Sequence, residues 1–202
     1  MIILASKSPR RQEILGRFTD YKVKTFNIVE NNQDYKSPEQ LVMALSFEKG
    51  IKVALNNRKD IVISADTVVS VDNTVLGKPV DRKDAFNMLK KLSGKKHKVL
   101  TGYSIFQLDN SIKYVDYCKS YVYFKELSDL DINNYLNTME YSDKAGSYAI
   151  QGYGELLVKK IEGDFNNIVG LPISDISDKL KSLFNIDLLE GVVENEVRGR
   201  KS

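Results

Sequence analysis

IILASKSPRRQEILGRF, residues Ile2 to Phe18, runs an apolar strand into a helix within one short segment. Ile2-Ile3-Leu4-Ala5 is the strand. Ser8 is a good N-cap, and Pro9 suits the first helical position. Arg10 and Arg11 follow, which is the wrong sign for a helix start, where the macrodipole and free N–H groups favour negative charge. Two cations beside unpaired amides describe a place for an outside anion, phosphate above all. The same residues also fit a helix start with two solvated arginines, and the segment alone does not separate these readings.

Working outward, strands and helices alternate, the pattern of an α/β fold. Tyr21 to Ile28 reads as a strand and residues 29–36 as a polar loop. Ser37-Pro38, with Gln40 as capping-box partner, opens a second helix whose Leu41, Ala44, Leu45, Ile51, Ala54 and Leu55 have helical spacing. Ile61 to Ala65 is the apolar run of a central strand. Val68–Val71 and Thr74–Leu76 flank a turn at Asp72-Asn73. A helix is predicted from Asp81 to Leu92, then strands from Lys98 to Leu108 and Ile112 to Phe124, with the tyrosines of Tyr114 to Tyr123 in the core. Ser128 starts a fourth helix. Residues 141–155 read as loop, Leu156 to Ile161 as strand and Ile173 to Phe184 as the last helix. Residues 1–190 are expected to form a single domain. Residues 191–202 are expected to be a charged, frayed tail.

Composition removes several function classes. The chain has 202 residues, with 30 basic and 27 acidic side chains and a net charge of +3. That balance does not point to a nucleic acid or a membrane surface as partner. No apolar run is long enough for a bilayer span, and no signal peptide is read. The single cysteine, Cys118, rules out an internal disulfide and agrees with a cytoplasmic location. With one histidine, His97, and one cysteine, neither a Cys/His zinc site nor a Ser-His or Cys-His triad is expected. A bound metal would have carboxylate ligands and be a hard ion such as magnesium.

A few residues remain that can carry chemistry, each with an ordinary alternative. Asp66, read as lying just past a buried strand, suits metal coordination or base catalysis, because ligands in open α/β sheets sit beyond the carboxyl ends of strands. It also suits a turn cap. Lys78, between Gly77 and Pro79, is either a point charge for phosphate or a surface lysine. Lys49, next to Glu48, fits a solvated helix face. His97 fits a structural role. In Asp143 to Gly152 the glycines allow close backbone approach, and Gln151 has the donor and acceptor needed to read a base edge. No GxxxxGK[ST] or GxGxxG pattern occurs, so a triphosphate site here is built differently.

Seven segments together resemble the Maf (multicopy-associated filamentation, or septum-formation inhibitor) family of nucleoside triphosphate pyrophosphatases. They are LASKSPRRQEIL (4–15), FEKG (47–50), SADTVV (64–69), LGKPVDRKDAFNMLKKLSG (76–94), HKVLTG (97–102), DKAGSYAIQG (143–152) and GDFNNIVGLP (163–172). They keep the family's order and spacing over most of the chain.

The resemblance implies an elongated mixed β-sheet flanked by helices, of the inosine-triphosphatase type, with the nucleotide cleft between two lobes. It implies hydrolysis of a nucleoside triphosphate to the monophosphate and pyrophosphate with a divalent metal cation, Mg2+ or Mn2+. The family's catalytic aspartate matches Asp66, with Lys78 beside it in the catalytic set. The substrate-selecting positions match Arg10, Thr67 and Gln151, a combination that looks like the subgroup acting on dTTP and UTP. Ser6, Ser8, Arg11 and Lys49 match phosphate-binding positions, and Glu30 matches a glutamate that holds the metal together with Asp66. Two departures stand out: Val29 where many members have an acidic residue, and Gly50 where alanine is usual. The second is expected to matter little beyond helix propensity, about 1 kcal/mol. The family admits a homodimer, which nothing in the sequence shows. Two other functions fit the resemblance: a house-cleaning pyrophosphatase for non-canonical nucleotides such as 7-methyl-GTP, and a non-enzymatic regulator of septum formation that binds a partner.

Overall fold

A computed structural model describes residues 1–26, 35–72 and 74–199. Among them is one mixed seven-stranded sheet. The elements in chain order are β1 (Ile2–Leu4), α1 (Pro9–Gly16), β2 (Lys22–Val23), α2 (Pro38–Leu55), β3 (Ile61–Val71), β4 (Thr74–Leu76), α3 (Arg82–Leu92), β5 (Lys96–Gln107), β6 (Ile112–Phe124), α4 (Asp129–Asn137), β7 (Val158–Glu162), α5 (Phe165–Val169), α6 (Ile173–Phe184) and α7 (Leu188–Gly199). The strand order is β2-β1-β3-β5-β6-β7, with β4 also on β3. β1 pairs in parallel with β2 and β3, while β3–β5, β5–β6, β6–β7 and β3–β4 are antiparallel. The mixed, helix-flanked α/β sheet expected from the resemblance is therefore present.

β3 organises the molecule, and it is longer than the apolar run predicts. The strand does not stop at Ala65 but continues to Val71, because its ladder with β5 is unbroken from Val62↔Phe106 to Ser70↔Lys98. Asp66 is thus a mid-strand residue opposite Gly102 rather than the first residue of a turn. The other edge of β3 is interrupted. β1 covers Ile61–Ile63, the Ala5 N–H still donates to the Ile63 carbonyl, and β4 covers Val69–Val71. Between them, among the described residues, no strand pairs with the edge of β3 from Ser64 to Val68. Asp66 and Thr67 lie in this notch.

The side chains of β3 alternate strictly between the two faces. Ile61, Ile63, Ala65, Val69 and Val71 enter the main core, with Ile14 and Leu15 of α1, Ala85, Leu89 and Leu92 of α3, and Ile176 and Leu180 of α6. Val62 and Val68 face the opposite way, onto Val53, Ala54, Leu41, Val42 and Leu45 of α2. α2 starts as the sequence predicts, with the Ser37 hydroxyl accepting from the Gln40 N–H; the Gln40 amide in turn accepts from the Lys36 N–H. Its last apolar residue, Leu55, is exposed, being on the side turned away from the sheet.

α2 lies unusually close to β3 and β5 along a seam of small residues. A Cβ on Gly102 would come within 2.1 Å of the Val42 carbonyl oxygen. One turn further on, the buried hydroxyls of Ser64 and Ser104 both donate to the Ser46 carbonyl, at 2.7 and 3.0 Å. At the next turn, a Cβ on Gly50 would meet Ser64 Oγ at 2.4 Å and Phe106 at 2.5 Å. Gly50 therefore matters more than helix propensity suggests. It is a contact position in this chain, fitted to the Ser64–Ser104 pair and the Phe106 ring.

Elsewhere the structure refines the sequence reading. Within the described residues the second strand covers only Lys22–Val23, and residues 27–34 lie outside them. The β5–β6 connection is a single 3-10 turn, Leu108–Asn110. Tyr114, Tyr117, Tyr121 and Tyr123 are all half-buried rather than core residues, and the ammonium of Lys96 is 4.0 and 5.1 Å from the ring centroids of Tyr121 and Tyr123. Residues 188–199 are helical. Among the described residues, no helix is long and apolar enough to cross a membrane.

Candidate functional site

One wall of the β3 notch is the β1–α1 connection. Ser8 occupies the N-cap position, but its hydroxyl makes no capping bond, contrary to expectation. Its N–H is instead turned back to Ser6 Oγ at 3.2 Å. The start of α1 has no acidic residue in its first turn and keeps Arg10 and Arg11 there. Arg11 reaches across the notch. Its Nε donates to the Gly170 carbonyl at 2.7 Å, one terminal nitrogen to Ser6 Oγ at 3.3 Å and the other to Thr67 Oγ1 at 3.0 Å. Thr67 also bonds Thr101 Oγ1 at 2.9 Å, and Thr101 donates to the Asn167 carbonyl at 2.9 Å. Since the Thr101 proton goes to that carbonyl, Thr67 must donate to Thr101. The chain Arg11–Thr67–Thr101–Asn167 thus has one defined direction and fixes the Thr67 hydroxyl.

Asp66 points to the other face, where Lys49 of α2 forms an ion pair with its Oδ1. Side-chain exposure is 22% for Lys49 and 13% for Asp66, so the pair is shielded yet open on one side. Lys49 reaches Asp66 because the small-residue seam holds α2 against β5. The sequence alone reads Lys49 as solvated; the structure makes it the partner of Asp66. Asp66 and Thr67 are adjacent in sequence but opposite in direction, and only the open edge of β3 gives one ligand access to both.

The second wall combines the segment after β4 with the 143–154 loop. The Gly146 N–H donates to the Gly77 carbonyl at 3.0 Å, which ties the loop to the backbone next to Lys78. Lys78 is exposed and Gln151 half-buried. Burial lowers the Arg10 guanidinium from its usual value, and Asp143 opposes this. Burial likewise lowers the Lys144 ammonium, with the charges of Arg10 and Lys78 adding to the shift and those of Asp143 and Glu140 opposing it. Arg10, Lys78 and Lys144 are therefore electrostatic neighbours. Among the described residues, Gln151 forms no hydrogen bond to Arg10 or Thr67. Glu30 lies outside the described residues.

Three features escape sequence reading. Lys144 sits in the same stretch as Gln151, and its signal is its place between Asp143 and a glycine turn. Thr101 and Asn167 fall inside two of the seven segments but need the folded sheet to meet Thr67. Beneath the loop, His97 is 1% exposed and its Nε2 is 2.8 Å from the Tyr148 hydroxyl, in keeping with a structural role. Burial pushes its imidazole down to about 4 from the ordinary 6.5. Between those values the unfolded chain binds a proton that the native protein excludes. Stability is thus fully present above about pH 6.5 and falls as pH drops through the window. With one histidine in the chain, denaturant melts should show a loss of about 2 kcal/mol from pH 7 to pH 5. His97→Phe should flatten that slope, and a wild-type protein equally stable at both values would contradict it.

A family model described as Maf-like protein matches residues 1–183. A dTTP/UTP pyrophosphatase of Clostridioides difficile (strain 630) is 52% identical over 196 residues, 95% of this chain and 99% of that protein. One from Caldanaerobacter subterraneus subsp. tengcongensis is 48% identical, covering 92% and 90%. One from Pyrococcus furiosus is 45% identical, covering 91% and 98%. With a family match from residue 1 to residue 183 and such likeness along nearly the whole length, the chain belongs to the Maf family.

Proposed function

We propose that the chain hydrolyses dTTP and UTP to the monophosphate and pyrophosphate at the open edge of β3. The observation that carries this reading is the notch itself: a shielded Asp66–Lys49 pair between the Ser6–Arg11 segment and Gly77–Lys78. Relatives at 45–52% identity carry the name of that activity.

The chemistry follows from charge. A nucleoside triphosphate brings about four negative charges, and cleavage between the α- and β-phosphates adds charge to the departing pyrophosphate. Lys49, Lys78, Lys144, Arg11 and the uncapped start of α1 with Ser6 and Ser8 supply the opposing charge and donors. Asp66 is the carboxylate at the reacting phosphorus, suited to accept a proton from the attacking water or to anchor a divalent cation. Among the described residues, no three His, Cys, Asp or Glu side chains gather into a metal cluster. One carboxylate is what a magnesium ion that arrives with substrate phosphates requires, since such ions bind through one or two carboxylates plus the phosphates. The described residues therefore fit Mg2+ or Mn2+ held by Asp66; Glu30, which the resemblance offers as a second ligand, lies outside them. The ion would neutralise phosphate charge.

Base selection falls to Arg10, Thr67 and Gln151. Thymine and uracil present an O4 acceptor, an N3–H donor and an O2 acceptor, which a guanidinium and an amide can match. Cytosine reverses the pattern at positions 4 and 3 and leaves polar groups unpaired. A pyrophosphate-release assay over the common triphosphates, with magnesium and with manganese, should show UTP and dTTP preferred over CTP by at least about 10²-fold in kcat/KM. CTP or GTP turned over as fast as UTP would overturn the assignment.

A further inference from the structure

We propose that His97 is a positioning residue for substrate selection, acting through Tyr148 to hold the loop that carries Lys144 and Gln151. This rests on the reading of that loop as part of the substrate site. His97, near the start of β5, and Phe124, at the end of β6, form a pocket around the Tyr148 ring. The three rings meet edge to face, with centroids 5.0, 5.5 and 4.8 Å apart. Tyr148 is 5% exposed, lies three residues before Gln151 and has its hydroxyl 2.8 Å from His97 Nε2.

The reason to assign a task to this histidine is its cost. Its Nδ1 is buried and has no hydrogen-bond partner among the described residues. Phenylalanine at both 97 and 148 would fill the same space beside Phe124 and leave no buried polar atom unpaired, so stability alone does not favour a histidine–tyrosine pair here. What the imidazole adds is position: a phenol oxygen bonded to one fixed nitrogen is held against sliding in an otherwise apolar pocket. The neighbouring anchors act on the backbone at other points. The Ala149 N–H donates to the Tyr135 hydroxyl at 3.1 Å, and Glu140 accepts from the Tyr153 and Gly154 N–H groups. Between Lys144 and Gln151 the Ser147 hydroxyl also donates to Met88 Sδ at 3.1 Å, and the His97–Tyr148 bond is the side-chain anchor nearer to Gln151.

The test uses the full chain, with UTP and CTP as probes. Tyr148→Phe removes only the hydroxyl. It should raise KM for UTP and lower the UTP/CTP preference, each about 10-fold, with kcat within about twofold. His97→Phe should behave in the same way, His97→Gln should retain much of the preference, and the double variant His97→Phe/Tyr148→Phe should lose no more than either single change. An unchanged KM and preference in folded Tyr148→Phe would overturn the proposal, as would multiplied losses in the double variant. If Tyr148→Phe does not fold, His97→Gln against His97→Phe decides, and equal behaviour of the two overturns it. Gln151→Leu, assayed alongside, separates the two levels. Preference retained in Gln151→Leu removes the base-reading role, and the KM shift in Tyr148→Phe then still decides the anchor. Preference lost in Gln151→Leu but kept in Tyr148→Phe overturns the anchor alone.

Discussion

Asp66→Asn is expected to lower pyrophosphate release from UTP by about 10²–10⁴-fold, the range for losing a positioned acid–base group, while the protein stays folded. Asparagine keeps the shape of the side chain and an oxygen for the Lys49 ammonium, so β3 and α2 should still pack together. What it removes is the negative charge at the point where a water proton or a divalent cation must be held. Lys49 is about one-fifth exposed, so its ammonium can be hydrated once the carboxylate charge is gone, and thermal stability should change little. Turnover and a melting curve on the same preparation make the check. Near-wild-type release by a folded Asp66→Asn protein would remove Asp66 from the reaction.

The sequence shows the chemistry of this site better than its shape. The helix starts at Pro9, Pro38 and Arg82 follow local rules, because cap residues and proline act within one turn. The anion-attracting character of Ser8-Pro9-Arg10-Arg11 is equally local, since like charge at a helix start is anomalous wherever it occurs. The end of β3 is not local. Ser64, Asp66 and Thr67 look like a strand terminus because they are polar. They remain in the strand because β5 pairs with them and because Ser46, Lys49, Arg11 and Thr101 satisfy their side chains. The notch is the difference between where β1 stops and where β4 begins, a property of register that no short window contains. The same holds for the split between Asp66 and Thr67. Their alternation follows from the strand period, but its meaning depends on the open edge between them. Lys49 changes meaning, and His97 acquires a specific partner, for one reason: the residues that define them, Asp66 and Tyr148, are 17 and 51 residues away.

Gly102→Ala carries the second large effect and tests how the fold sets the site. Gly102 faces α2 directly opposite Asp66 in the β3–β5 ladder. A Cβ there would lie 2.1 Å from the Val42 oxygen, 2.2 Å from its carbonyl carbon and 2.7 Å from the Met43 nitrogen. All three are backbone atoms in the second turn of α2, so no side-chain rotation relieves the clash. The contact must open by more than about 1 Å to reach an ordinary separation, and α2 has to lift from the sheet. The expected cost is about 3 kcal/mol, the upper part of the range for overpacking, or a fall in Tm of about 6–12 °C for a chain of this size. Because α2 also carries Lys49, the lift separates the ammonium from Asp66, and kcat should fall by about 10-fold or more in the protein that remains folded. Gly191→Ala is the matched comparison. Gly191 lies in α7, where an added Cβ meets nothing nearer than the Phe18 oxygen at 3.7 Å. Helix propensity there favours alanine by about 0.5–1 kcal/mol, and turnover should not change. A Gly102→Ala protein with the Tm and kcat of the Gly191→Ala protein would mean that the close seating of α2 on β5 does not set the geometry of Asp66 and Lys49.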